Sequence, residues 1–159
     1  MHTTLDIEAS GFGRHSYPIE VGYVRDDGQA WCTLIRPLAY WTHWDEEAAR
    51  LHGITREALA RHGRPPAEVA QTLNQALAGQ TVYCDGWAHD YSWLGALYEA
   101  ADLVPSFHLE SVQRLLNDQV RPALDPALQR LRASNAHQRH RASGDARLLQ
   151  QALAAVLNG

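Results

Sequence analysis

The chain has 159 residues, and its 14 basic side chains, every one an arginine, face 18 acidic ones for a formal charge of −4. That length suits one domain over residues 1–159 with a core of its own, and 45% hydrophobic with 20% charged residues excludes wholesale disorder. A pI near 6.1 argues against a generic basic nucleic-acid coat. No apolar run approaches the roughly 18 residues that span a bilayer, so no membrane association is expected.

Met1-His2-Thr3-Thr4 has neither the basic nor the apolar region of a secretory signal. Cys32 and Cys84 both fall in apolar stretches and read as buried, reduced thiols, so the expected location is cytoplasmic. The charge is uneven: residues 1–102 carry 7 Arg and 14 acids, whereas residues 103–159 carry 7 Arg and 4 acids. An acidic front joined to a basic tail suits a metal-binding face beside a phosphate-contacting one, and also suits ordinary surface heterogeneity.

In chain order, Thr3–Glu8 alternates and predicts a strand, Ile19–Val24 a second and Ala30–Arg36 a third, the last two joined by an Asp26-Asp27-Gly28 turn. Short helices are expected over Asp45–Leu51 and Thr55–Arg61, around the break at Gly53. Pro65-Pro66 opens a longer helix, with Val69, Leu73 and Leu77 on one face and an end at Gly79. Thr81–Cys84 predicts a fourth strand and Asp90–Ala101 a helix with Trp93, Leu94, Leu97 and Tyr98 on one face. Phe107–Leu109 predicts a fifth strand, followed by helices over Ser111–Leu116, Pro126–Arg132 and Gly144–Leu157. Strands followed by alternating helix and strand give an α/β chain with a five-stranded mixed sheet flanked by helices. Strands one, four and five are parallel through helical crossovers, and strand two is antiparallel.

In such sheets chemistry gathers at the carboxyl ends of central strands. Asp6 and Glu8, two apart on the first strand, leave the same face, while Leu5, Ile7 and Ala9 point into the core. Adjacent carboxylates repel and are costly to desolvate, and a divalent cation with a taste for oxygen relieves both. The D-x-E spacing alone says little, since Asp45-Glu46-Glu47 repeats it at a helix start where acids complement the dipole. Asp6 and Glu8 differ in lying on a strand followed by the turn-prone Ser10-Gly11. Asp90 then follows strand four, and Asp145 opens the last helix five residues after His140.

This ordered set, carried by Leu5-Asp6-Ile7-Glu8-Ala9-Ser10-Gly11, the Asp90 segment and His140-Arg141-Ala142-Ser143-Gly144-Asp145-Ala146, resembles the DEDDh 3′–5′ exonucleases. That family includes the proofreading subunit of bacterial replicative polymerase, RNase T and oligoribonuclease. Leu51-His52-Gly53-Ile54-Thr55 is similar to a segment the family carries between its first two motifs. The resemblance implies a ribonuclease H-like fold and release of nucleoside 5′-monophosphates from a single-stranded RNA or DNA 3′ end. It implies that Asp6, Glu8, Asp90 and Asp145 hold two Mg²⁺ or Mn²⁺ ions and that His140 takes the proton of the attacking water.

The same resemblance assigns Ser10, Gly11, Phe12 and His52 to the terminal nucleotide, with Phe12 stacking on its base. Arg139 and Arg141 flank His140 and are expected at the substrate phosphates. Two positions depart from the family: Ala9 stands where threonine is usual, and His89 where phenylalanine is common before the second-motif Asp. The second departure makes Asp85 a rival to Asp90, which the family's placement favours. Both departures also leave open a binding or interaction module that kept the fold and lost turnover. Tyr40, Trp41 and Trp44 read as core packing, as a platform for nucleic acid or as a subunit contact that permits a homodimer.

Overall fold

A computed structural model describes residues 1–135 and 140–159. Three strands, β1 (Thr4–Ala9), β2 (Pro18–Val24) and β3 (Ala30–Leu34), form an antiparallel meander. Helices α1 (Glu46–His52), α2 (Arg56–His62) and α3 (Pro66–Leu77) lead to β4 (Thr81–Cys84), α4 (Trp87–Ala101) and β5 (His108–Ser111). Two 3₁₀ turns, Val112–Leu115 and Arg121–Ala123, precede α5 (Leu124–Ser134) and α6 (Ala142–Asn158). The sheet order is β3-β2-β1-β4-β5, with β4 parallel to β1 and to β5. This is the expected ribonuclease H-like architecture, and β1, which carries Asp6 and Glu8, is its central strand. Among the described residues no helix is long and apolar enough to cross a membrane.

One face of β1 buries Leu5, Ile7 and Ala9 against Val69, Leu73 and Leu77 of α3 and Leu94 and Leu97 of α4. The other face lies under α6, which packs on α5 through a second cluster of Leu124, Leu128, Leu149 and Leu153. A third, of Tyr17, Ile19, Ile54 and Leu59, anchors α1 and α2 beside the sheet. Being covered on both sides, β2 is buried along its whole length.

The largest departures from the expected boundaries have tertiary causes. α4 begins at Trp87 rather than Asp90, and the Trp87 indole Nε1 anchors that added turn by donating to the Leu109 carbonyl at 3.2 Å. α6 begins at Ala142 rather than Gly144 because the Glu20 carboxylate of β2 accepts from the Ala142 N–H at 2.7 Å. The segment over Ser111–Leu116 is a 3₁₀ turn, short because it must re-enter the core at Val112 and Leu116. Cys84 is buried as expected, but Cys32 is exposed: it lies on β3, the edge strand whose residues are not covered along their length.

Gly22 sets how closely α6 approaches the sheet. A Cβ there would stand 2.5 Å from the Ser143 nitrogen and 2.8 Å from the Ala142 carbonyl carbon. Gly22 is the antiparallel partner of Asp6, and Glu20 that of Glu8, so all four lie on the face that α6 covers. The register shifts between Glu8 and Ala9, a bulge that ends the pairing where the carboxylates emerge.

Candidate active site

Side-chain oxygens of Asp6, Glu8 and Asp145 lie within 4.8 Å of one another at the carboxyl end of β1. The strand's two-residue period supplies the first two, and α6, seated on Gly22, brings the third across the sheet. Asp90, 4% exposed in the first turn of α4, completes the acidic wall from the other side. All four carboxyls are pushed up. For Asp6, burial and then the charges of Asp90, Glu8 and Asp145 hold it well above the usual range. Burial, then Asp145 and Glu20, raises Glu8 to about 8. Burial raises Asp90 to about 7 against a hydrogen bond with Cys84, and burial also raises Asp145.

Asp6 Oδ2 is buried with no hydrogen-bond partner among the described residues. A buried carboxylate oxygen left unmatched among three further carboxyls is an arrangement that a divalent cation satisfies. An all-oxygen donor set suits hard ions such as Mg²⁺ or Mn²⁺, so the residues present fit such a metal.

These acids line a cleft of about 270 Å³ that also receives Gly11, Phe12, His52, His89 and His140. His140 adopts a left-handed backbone, φ 62°, and its N–H donates to Asp145 Oδ2 at 3.1 Å. Gly11 lets the chain pass α1 closely, since a Cβ would meet Asp45 Cβ at 2.7 Å. Phe12 is 65% exposed at the rim, edge-on to His89 with centroids 5.2 Å apart, and His89 stacks on Trp93 at 5.5 Å. His52 is buried; its Nδ1 accepts from the Ile54 N–H at 3.0 Å, which leaves the neutral ring's proton on Nε2, an atom without a partner among the described residues. Burial also lowers the His52 pKa, favouring that neutral form.

Other expected residues sit elsewhere. Ser10 is fully buried, its Oγ tied to His43 Nδ1 at 2.9 Å and to the Tyr17 N–H at 3.1 Å, so it supports the loop from behind the cleft. Arg141 does not line the cleft. Its Nε and Nη2 make bonds of 2.6–3.2 Å to the Glu20 carboxylate, which is 1% exposed. Arg139 lies outside the described residues. Asp85 does line the cleft but is exposed and faces Arg132 at 3.7 Å, whereas Asp90 is buried beside Asp6. Two residues escaped the sequence reading. Glu20 had a signal, a lone acid in an apolar strand on the face that alternation assigns to Asp6 and Glu8. Arg132, which lines the cleft, had none, because only the seating of α5 brings it there.

No family model matches the sequence, and no curated protein does either. Solved structures do match. Exonuclease I of E. coli in complex with a dT13 oligonucleotide superposes with a TM-score of 0.72 at 15% identity, over 99% of this chain and 41% of that one. The chain has an exonuclease I-like fold. The zinc-bound E. coli exonuclease I–ssDNA complex gives 0.71 at 14% identity over 98% of this chain and 39% of that one. The moderately thermophilic exonuclease I from Methylocaldum szegediense gives 0.66 at 17% over 95% and 39%. The chain thus spans about two fifths of the length of these exonuclease I structures. Within the exonuclease-like fold, the four carboxyls and His140 occupy one end of the sheet, at the central strand.

Proposed function

We propose that this chain is a metal-dependent 3′–5′ exonuclease that releases nucleoside 5′-monophosphates from single-stranded nucleic acid. The observation that carries the reading is the convergence of Asp6, Glu8 and Asp145 around an unpartnered, buried Asp6 oxygen, with His140 held on Asp145. The likeness to exonuclease I structures solved with oligonucleotides supports the same class of substrate.

Asp6, Glu8, Asp145 and Asp90 would hold two Mg²⁺ or Mn²⁺ ions, with the buried Asp90 preferred to the Arg132-paired Asp85. Bound there, such ions supply a more acidic water and positive charge opposite the phosphate oxygens. The chain's own groups do the rest. The His140 imidazole accepts the proton of the attacking water, whose oxygen forms the new bond to phosphorus. The bond to the 3′-oxygen of the preceding nucleotide breaks, and that oxygen leaves with a proton from solvent. Phe12 stacks on the terminal base without regard to its identity, and the His52 Nε2–H, with no partner among the described residues, donates to the terminal nucleotide. Arg132 takes the phosphate role that the sequence had suggested for Arg141. Two unpaired thiols fit a reducing, cytoplasmic setting.

The test is incubation of the purified chain and Mn²⁺ with 5′-labelled RNA and DNA oligonucleotides. A ladder shortening from the 3′ end, lost in Asp6→Ala, is expected. Full-length label on every strand, with no shortened product, would sink the proposal. Calorimetric uptake of fewer than two ions would favour the decayed binding module.

A further inference from the structure

A second depression, of about 520 Å³, lies next to the cleft between the β1–β2 loop, the segment Tyr40–His43 and α4. Its lining includes Arg14, His15, Tyr40, Trp41 and His43, and among the described residues it includes no carboxylate. The contrast with the acidic cleft is sharp. Arg14 makes no ion pair among the described residues and is exposed. The Tyr40 ring is 74% exposed, while its neighbour Trp41 is held from beneath by stacking on the buried Tyr17 at 5.4 Å and 15°. Trp44 is occupied otherwise, with the Arg56 guanidinium 5.3 Å from its ring. The aromatic group before α1 therefore divides into packed members and one free face, beside a free cation.

The depression adjoins the cleft. α4 underlies both: Trp93 lines the cleft and Ala96, one turn later, lines the depression, a rise of about 4.5 Å along the axis. The Trp93 Nε1–H donates to Ser16 Oγ at 2.9 Å, tying the loop down between them. Phe12 stands on the cleft side of that loop and Arg14, two residues on, faces the depression. A strand whose terminal base lies on Phe12 meets a basic and aromatic surface as it leaves.

We infer that this depression is a binding subsite for single-stranded nucleic acid upstream of the cut, with Arg14 on a phosphate and Tyr40 stacked on a base. Its volume falls in the range of roughly 300–1,000 Å³ of ordinary ligand sites. Cation plus exposed aromatic is the combination by which single strands are held without sequence preference. The inference rests on the proposed function, because it supplies the remainder of that enzyme's substrate.

The experiment measures binding by fluorescence anisotropy in EDTA, so that no hydrolysis intervenes, with a labelled ten-nucleotide oligothymidylate and a labelled dithymidylate. Arg14→Ala/Tyr40→Ala should weaken the ten-mer at least fivefold and reduce the slope of log affinity against log salt by about 0.7. The dinucleotide, which reaches only the cleft, should bind both proteins equally, and Tyr40→Phe should retain ten-mer binding. Unchanged ten-mer binding in the double variant, or equal weakening of both probes, overturns the inference and leaves the functional reading standing. A parent protein that binds neither probe in EDTA overturns the inference, while the functional reading is decided by the Mn²⁺ ladder assay. If sedimentation shows a dimer that Tyr40→Ala dissociates without affecting ten-mer binding, the surface is a subunit contact and the inference falls.

Discussion

Replacing Asp90 by asparagine should stabilise the metal-free protein at alkaline pH. Burial lifts the Asp90 carboxyl from 3.8 to about 7, the Cys84 hydrogen bond opposing and the Asp85 charge assisting. In the unfolded chain the group ionises near its ordinary value, so between those limits the native state keeps a proton that the unfolded state has lost. Stability therefore falls as pH rises through that window, and above it the whole cost of a buried charge is present. At about 1.4 kcal/mol per pH unit the window is worth about 4 kcal/mol. Relaxation and water entry return part of it, leaving about 2 kcal/mol.

Asp90→Asn keeps the shape and removes the charge. In EDTA at pH 8 it should melt about 4–8 °C above the parent for a domain of this size, and the two should converge at pH 4. Differential scanning calorimetry across that range is the assay. Added Mn²⁺ should reverse the order, since an ion at a hundred times its dissociation constant stabilises the parent by about 2.7 kcal/mol. A variant that melts below the parent at pH 8 in EDTA, or a gap independent of pH, would refute the reasoning.

Among the described residues, Arg141→Ala leaves the buried Glu20 carboxylate with only the Ala142 N–H. It should cost roughly 2 kcal/mol in urea denaturation, and should slow turnover because His140 and Asp145 flank the lost anchor. Gly22→Ala forces a methyl into the Ala142–Ser143 backbone. A loss of roughly 1–3 kcal/mol with weaker Mn²⁺ uptake is expected, and calorimetric binding unaltered from the parent would contradict the close approach. His140→Asn should lower the exonuclease rate about 10²–10⁴-fold while calorimetry still records metal uptake, because the carboxyls remain.

Much of this architecture is written in local pattern. The alternation over β1 put Asp6 and Glu8 on one face and Leu5 and Ile7 on the other, as found. The order of strands and crossovers carried the sheet's mixed topology. Patterns of this kind are legible because they depend on period and on chain connectivity, which a sequence states directly. The starts of α4 and α6 were not legible, because the Leu109 carbonyl and the Glu20 carboxylate that hold their first turns come from distant strands.

The same division runs through the site. The sequence by itself determined which acids could meet: two on the central strand, one after β4 and one in the last helix. It could not say where the arginines face. Arg141, beside His140 in sequence, turns to a carboxylate 121 residues away in the chain, while Arg132 reaches the cleft from α5. Spacing fixes which side chains share an element and a face. Only packing of one element on another decides which charges are tied to a buried partner and which reach the cleft, because that depends on burial and on partners remote in sequence.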